Sequence, residues 1–177
     1  VGLQNGQTVP VQNPYANGNA WFVDKISYVD NANEEIDAVG KLNLRHEAVA
    51  DKKFEAQLGK ATPETSTDLI TLKAYEPNHL VYNVTSKNGG IIVFSEVYYP
   101  GWTATVDGQQ AELGRANYIL RALNVKPGKH EVVLDFHPAS LRKTEGIAYA
   151  SYGVLALILA LGIFIEWKKR KETAVEQ

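Results

Sequence analysis

Nineteen consecutive residues without a charge, Ile147 to Ile165 (IAYASYGVLALILALGIFI), constrain this chain more than any other feature. As a helix at roughly 1.5 Å per residue the segment spans about 28 Å, close to the hydrocarbon thickness of a bilayer. Tyr149 and Tyr152 stand near one end and Trp167 at the other, where amphipathic rings favour the membrane interface. Lys168, Lys169, Arg170 and Lys171 follow directly. A basic cluster of this kind is retained on the cytoplasmic side, so residues 1 to about 145 are expected outside and the C-terminus inside. A buried core helix is the competing reading, and the basic stop argues against it. A signal peptide is excluded by the C-terminal position.

The remaining 140 or so residues suffice for one domain with its own core. The chain opens at Val1 and holds no methionine, which predicts a natural start further upstream. A net charge of −2 argues against nucleic-acid binding, which usually brings a concentrated basic face. The absence of cysteine removes disulfides, thiolate catalysis and Cys-ligated metals.

Before the apolar segment the pattern is that of short strands separated by turn residues. Residues 1–20, rich in Asn, Gln, Gly and Pro, read as extended chain and turns. Trp21–Val29 reads as a strand. Asn31 and Glu34 have capping-box spacing for a short helix, with Ile36 and Val39 on one face. Residues 41–60 fit a short strand at Ala48–Ala50 and a helical turn over Lys52–Leu58, and 62–68 a polar loop. From Leu69 onward Ile70, Leu72 and Ala74, then Leu80, Tyr82 and Val84, alternate with more polar neighbours. Asn88-Gly89-Gly90 signals a hairpin, and Ile91–Val97, apolar on both faces at first, a central strand. Pro100-Gly101 turns the chain into a strand from Trp102 to Val106. Asp107-Gly108 fits a type I′ turn, Tyr118–Val125 is the next strand, and Pro127-Gly128 turns into a last one carrying Val132, Leu134 and Phe136. Pro138 ends that strand and Ser140 is placed to cap the following helix. The expected architecture is mainly β: an antiparallel sandwich, jelly-roll or Ig-like, over residues 1–138 with a short N-terminal helical segment. A transmembrane helix with its lead-in follows over 139–167, and a basic tail over 168–177.

Chemistry is sparsely signalled. His46, His79, His130 and His137 have no ligand spacing, and no metal, nucleophile-elbow, P-loop or dinucleotide motif occurs. No cofactor, metal or catalytic constellation is therefore expected in these residues. Glu96 is unusual in lying between Phe94 and Tyr98 on an apolar strand; it is a site acid or, preferably, the partner of Arg115 or Arg121. In an unbroken strand Arg115, Asn117, Ile119 and Arg121 share one face, and two arginines beside an amide suit a phosphate or carboxylate. Six residues of extended chain nevertheless hold the arginines roughly 20 Å apart, too far for one clamp. Arg121 is thus assigned to a structural pair, with Glu96, and Arg115 to a ligand- or membrane-facing role. Tyr98, Tyr99 and Trp102 are placed to stack on a sugar ring or to pack against the membrane portion.

The runs NPYANGNAWFV (13–23), KAYEPNHLVYNV (73–84), FSEVYYPGWTATVDG (94–108) and RANYILRALNVKPGKHEVVLDFHP (115–138), together with the helix that follows, resemble the C-terminal region of the YfhO family of bacterial membrane proteins in its Bacteroidetes-like form. The resemblance implies a large polytopic protein of the glycosyltransferase C type in the bacterial inner membrane. Such a protein takes a sugar from a polyprenyl-phosphate carrier for envelope glycopolymer or lipid glycosylation. It further implies that the catalytic carboxylates lie in early extracytoplasmic loops with no counterpart here. The expected partners are the lipid bilayer, the rest of the parent protein, and a polyprenyl-phosphate sugar or envelope glycan. Two readings stand: an accessory extracytoplasmic domain of such a transferase, or a structural or interaction module without sugar contact. An open cleft shared by Arg115, Asn117, Arg121 and Trp102 would favour the first, and a closed cluster the second.

Overall fold

A computed structural model describes residues 13–175, except for the side chains of 139–143 and 169–175. The reading of residues 1–12 as extended chain lies outside the described residues, and 13–19 form turns and irregular chain. The chain divides into two compact units, with the boundary between Phe136 and His137.

The first unit is mainly antiparallel β, as expected, and its centre is a four-stranded sheet. In spatial order this holds β1 (Ala20–Val23), β6 (Gly90–Val97), β10 (Leu120–Val125) and β9 (Gly114–Ala116). A five-stranded sheet faces it, in the order β4 (Leu69–Glu76), β5 (His79–Ser86), β11 (Gly128–Phe136), β7 (Trp102–Val106) and β8 (Gln109–Ala111). Phe22, Ile92, Phe94, Leu123 and Val125 from the first sheet interlock with Leu80, Tyr82, Val84, Ala104, Val132 and Leu134 from the second. Each large apolar side chain so buried is worth about 1.5–3 kcal/mol.

The outer face of the four-stranded sheet is covered too, which explains why β6 is apolar on both faces. Trp21, Val23, Ile91, Val93, Ala116 and Ala122 pack there against Ala48, Ala50, Phe54 and Leu58. The covering layer consists of β2 (Lys25–Val29), α1 (Ala32–Val39), β3 (Glu47–Asp51), a 3₁₀ turn at Lys52–Phe54 and α2 (Glu55–Leu58). Strands β2 and β3 pair in parallel across α1. The single strand expected over Trp21–Val29 is therefore two strands of different sheets, broken at Asp24, whose carboxylate accepts from Glu64 N and pairs with His46. Helix α1 is capped as its sequence demands: Asn31 Oδ1 accepts from Glu34 N at 3.0 Å and Glu34 Oε2 from Asp30 N at 3.1 Å. Its buried face, however, carries Glu35, while Ile36 is exposed.

Three other local expectations change with long-range context. Asn88-Gly89-Gly90 carries the chain from β5 in one sheet to β6 in the other, so it is a crossover and no hairpin. Gly89 has φ 71°, and a Cβ there would stand 2.6 Å from the Val125 carbonyl. The alternation in β4 shifts at Lys73, where a bulge interrupts pairing with β5. Residues 115–121 do not form one run: β9 and β10 are the arms of a hairpin. By contrast, Asp107 (φ 52°) and Gly108 (φ 76°) make the β7–β8 turn with the positive φ values that a type I′ turn requires.

The second unit is α3, Ala139–Val175. Within it Thr144–Lys168, 25 residues, is long and apolar enough to cross a membrane, and none of it is buried. The Phe164 and Trp167 rings, tilted 36° to one another, lie with centroids 6.2 Å apart near its C-terminal end. The helix begins one residue before Ser140, whose side chain lies outside the described residues.

Candidate functional site

The β9–β10 hairpin governs where the basic residues go. Its turn is made by Asn117 (φ 49°) and Tyr118 (φ 72°), both left-handed without being glycine. In consequence Arg115 lies opposite Arg121 in register, and the roughly 20 Å separation expected of an extended run does not occur. The two side chains nonetheless diverge to different partners.

Arg115 is taken up by Glu35, a residue the sequence reading passed over. Glu35 is fully buried; its Oε2 accepts from Arg115 Nη2 at 2.5 Å and its Oε1 from Tyr118 N at 2.9 Å. The guanidinium also lies 5.6 Å from the ring centroids of Phe54 and Tyr118. The signal for Glu35 was obscured because the apolar spacing of Ile36 and Val39 pointed to another helix face. Asn117 serves the neighbouring strand: its Oδ1 accepts from Val49 N at 3.1 Å and its N donates to Val49 O at 2.7 Å.

Arg121 is buried in the inter-sheet layer. Its Nε donates to Val97 O at 2.9 Å, its Nη2 is 3.8 Å from Glu96 Oε2, and its Cζ sits 3.6 Å from the centre of the Trp102 ring. Glu96 also accepts from Tyr75 Oη at 3.1 Å, which links the two sheets. Burial, reinforced by the Glu96 charge, pushes the Tyr82 phenol up to about 12. Arg115, Asn117 and Arg121 thus each end in an internal contact, and they do not converge on a shared opening.

The aromatic candidates behave differently. Tyr98, Tyr99 and Trp102, with Pro100, Gly101 and Thr103, line a cleft of about 600 Å³ together with residues 110–113 and Gln57. Tyr98 is held edge-on to Phe54 at 5.5 Å, and Trp102 is backed by Arg121 and by Phe136 at 5.3 Å. Tyr99 is 60% exposed. The lining joins these aromatic residues to Gln57, Thr103, Gln110 and Glu112, residue types whose donors and acceptors suit a neutral polyhydroxyl ligand. A larger cleft, about 770 Å³, lies between residues 14–17 and 42–45, but contains none of the residues singled out by the sequence. Among the described residues no group of three or more His, Asp or Glu side chains is placed to hold a metal ion.

Neither the curated proteins nor the solved structures contain a match to this chain. The family described as bacterial membrane protein YfhO matches residues 5–147, which takes in both sheets, the covering layer and the start of the apolar segment. The chain belongs to the YfhO family of bacterial membrane proteins.

Proposed function

We propose that this chain is the accessory, extracytoplasmic portion of a polytopic membrane glycosyltransferase of the C type, one that uses a polyprenyl-phosphate-linked sugar for envelope glycopolymer or lipid glycosylation. The observation that carries the reading is the cleft flanked by Tyr98, Tyr99 and Trp102, in a sandwich tethered to a helix long enough to span a bilayer. Rigid, partly exposed aromatic rings beside amides and a hydroxyl can hold a sugar by face contact and hydrogen bonds without performing chemistry on it. Catalysis belongs to the parent protein's other segments. In this arrangement Trp102 is a positioned wall, stacked on Arg121 from behind, and Tyr99 is the ring most free to meet a ligand.

A second reading, a structural or interaction module, is the one that the arginine cluster favours: Arg115, Asn117 and Arg121 all close on internal partners, and of that group Trp102 alone lines the cleft. One experiment separates the two. In the full-length protein Thr103→Ala with Gln110→Ala should lower sugar transfer several-fold while the sandwich melts as before. Unchanged transfer would leave the module reading in its place, and turnover of a polyprenyl-linked sugar by residues 1–177 alone would refute the accessory role. The four cations after Trp167 support a cytoplasmic C-terminus in the inner membrane, so a reporter fused after Gln177 should behave as cytoplasmic.

A further inference from the structure

The two ends of the sandwich differ in character. At the end where β11 delivers Phe136, five large apolar or aromatic side chains, Tyr75, Val97, Tyr99, Tyr118 and Ile119, are between 36% and 61% exposed. Specific contacts place them together. Tyr98 N donates to Ile119 O at 2.6 Å, and Leu120 pairs with Val97. Tyr75 reaches Glu96 across the sheets, and Tyr99 meets the Phe136 ring at 6.2 Å. Phe136 itself pairs with Trp102 and donates its N–H to Asn78 O. The opposite end, around the β7–β8 and β10–β11 turns and the β5–β6 crossover, exposes Lys87, Asp107, Gln109, Lys126 and Lys129 and, of large apolar side chains, Leu69 without an aromatic ring beside it. A solvated domain has no reason to gather its exposed rings at one end, and such a patch marks a contact surface.

The chain itself indicates what the patch meets. From Phe136 the membrane-spanning segment is reached at Thr144, with α3 already begun at Ala139. Three extended steps and five helical ones amount to roughly 18 Å of chain. The apolar end therefore cannot leave the neighbourhood of the bilayer surface, whereas the lysine-bearing end stands some seven residues, roughly 23 Å, further along β11. Tyr side chains combine an apolar ring with a hydroxyl and favour the headgroup layer; Val97 and Ile119 supply purely apolar area.

We infer that this rim rests in the headgroup layer of the bilayer, so that the sandwich is a membrane-seated domain and not merely a tethered one. The attraction is apolar. Glu96, next to Val97, is already engaged by Arg121 and Tyr75, and Arg115 beside Tyr118 is paired with Glu35, so anionic lipid is not required. The inference concerns lipid alone and does not depend on sugar contact.

The chain has no cysteine, so single labels are unambiguous. Nitroxides at Tyr99→Cys, Ile119→Cys and Lys129→Cys, each in the full chain reconstituted in phosphatidylcholine bilayers, should report different surroundings. At 99 and 119 collision with oxygen should be favoured over a water-soluble nickel chelate, with a ratio several-fold above that at 129. Native circular dichroism qualifies each variant, and Val97→Cys replaces either rim variant that fails to fold. Equal, water-like ratios at all three positions would overturn the inference. So would rim labels shielded from both reagents, which would mean that protein rather than lipid covers the patch.

Discussion

Removing the arginine of the Glu35–Arg115 pair is the sharpest test of how the covering layer is held. Glu35 is fully buried and has two donors, Arg115 Nη2 at 2.5 Å and Tyr118 N at 2.9 Å. Arg115→Met keeps an unbranched apolar side chain at the position but leaves a buried carboxylate with a single backbone donor. Breaking a buried pair in this way costs about 3–5 kcal/mol. At about 2–4 °C per kcal/mol for a chain of this size, the melting temperature should fall by roughly 6–20 °C. Glu35→Leu strands a guanidinium that keeps some access to water, its side chain being 19% exposed, so it should cost less. The double variant should recover part of the loss, with a coupling of about 1–3 kcal/mol. Thermal unfolding of residues 1–177 in micelles, followed by near-ultraviolet circular dichroism, measures all three. A cost below about 1 kcal/mol for Arg115→Met, the range of exposed pairs, would refute the account.

The two tight glycines should respond differently. Gly108 has open space at its Cβ position, so Gly108→Val should cost about 1 kcal/mol or more through its positive φ alone; an unchanged melting temperature would contradict the type I′ turn. Gly89→Ala adds a clash with the Val125 carbonyl to the same strain and should cost more than Gly108→Ala in the same melt. Stability should also fall as pH rises above neutrality. His79 and His130 are held above their usual range by hydrogen bonds to Asp135 and Asp107. A histidine pKa raised on folding gives stabilisation that is complete below the unfolded value near 6.5 and is lost as pH rises through the folded one. His79→Gln with His130→Gln should flatten urea midpoints between pH 6 and 8, and a midpoint slope identical to that of the unmodified chain would exclude these pairs.

What the sequence made legible was whatever rests on near neighbours. Asp107-Gly108 dictates its turn because both positions require positive φ, and Asn31 with Glu34 closes the helix start within four residues. The two-sided apolar run of β6 announced a strand covered on both faces. The readings that changed depend on distant partners. Asn88-Gly89-Gly90 has the chemistry of any tight turn, and only the approach of Val125 makes it a crossover. Nothing in Asn117-Tyr118 flags two consecutive left-handed residues, because a tyrosine in such a position ordinarily reads as strand. Once that turn was missed, the arginines looked remote and Glu35 had no visible partner. Tyr98, Tyr99 and Trp102 stand together by sequence proximity, but residues 110–113, which line the same cleft, begin in β8, whose position only the sheet order fixes.

Asn117 does more than turn a corner. Strand β3 is bonded to β2 along one margin, and on the other Val49 turns its N–H and C=O outward to a single residue, whose side-chain oxygen and backbone N–H answer them. A row of free backbone groups at a sheet margin is an invitation to any passing strand. Here the invitation is closed by one asparagine, which occupies the place of a strand without being one. The parallel pair is thereby finished at two strands, and a domain crowded beside others of its kind on a membrane has one margin fewer along which copies can zip together.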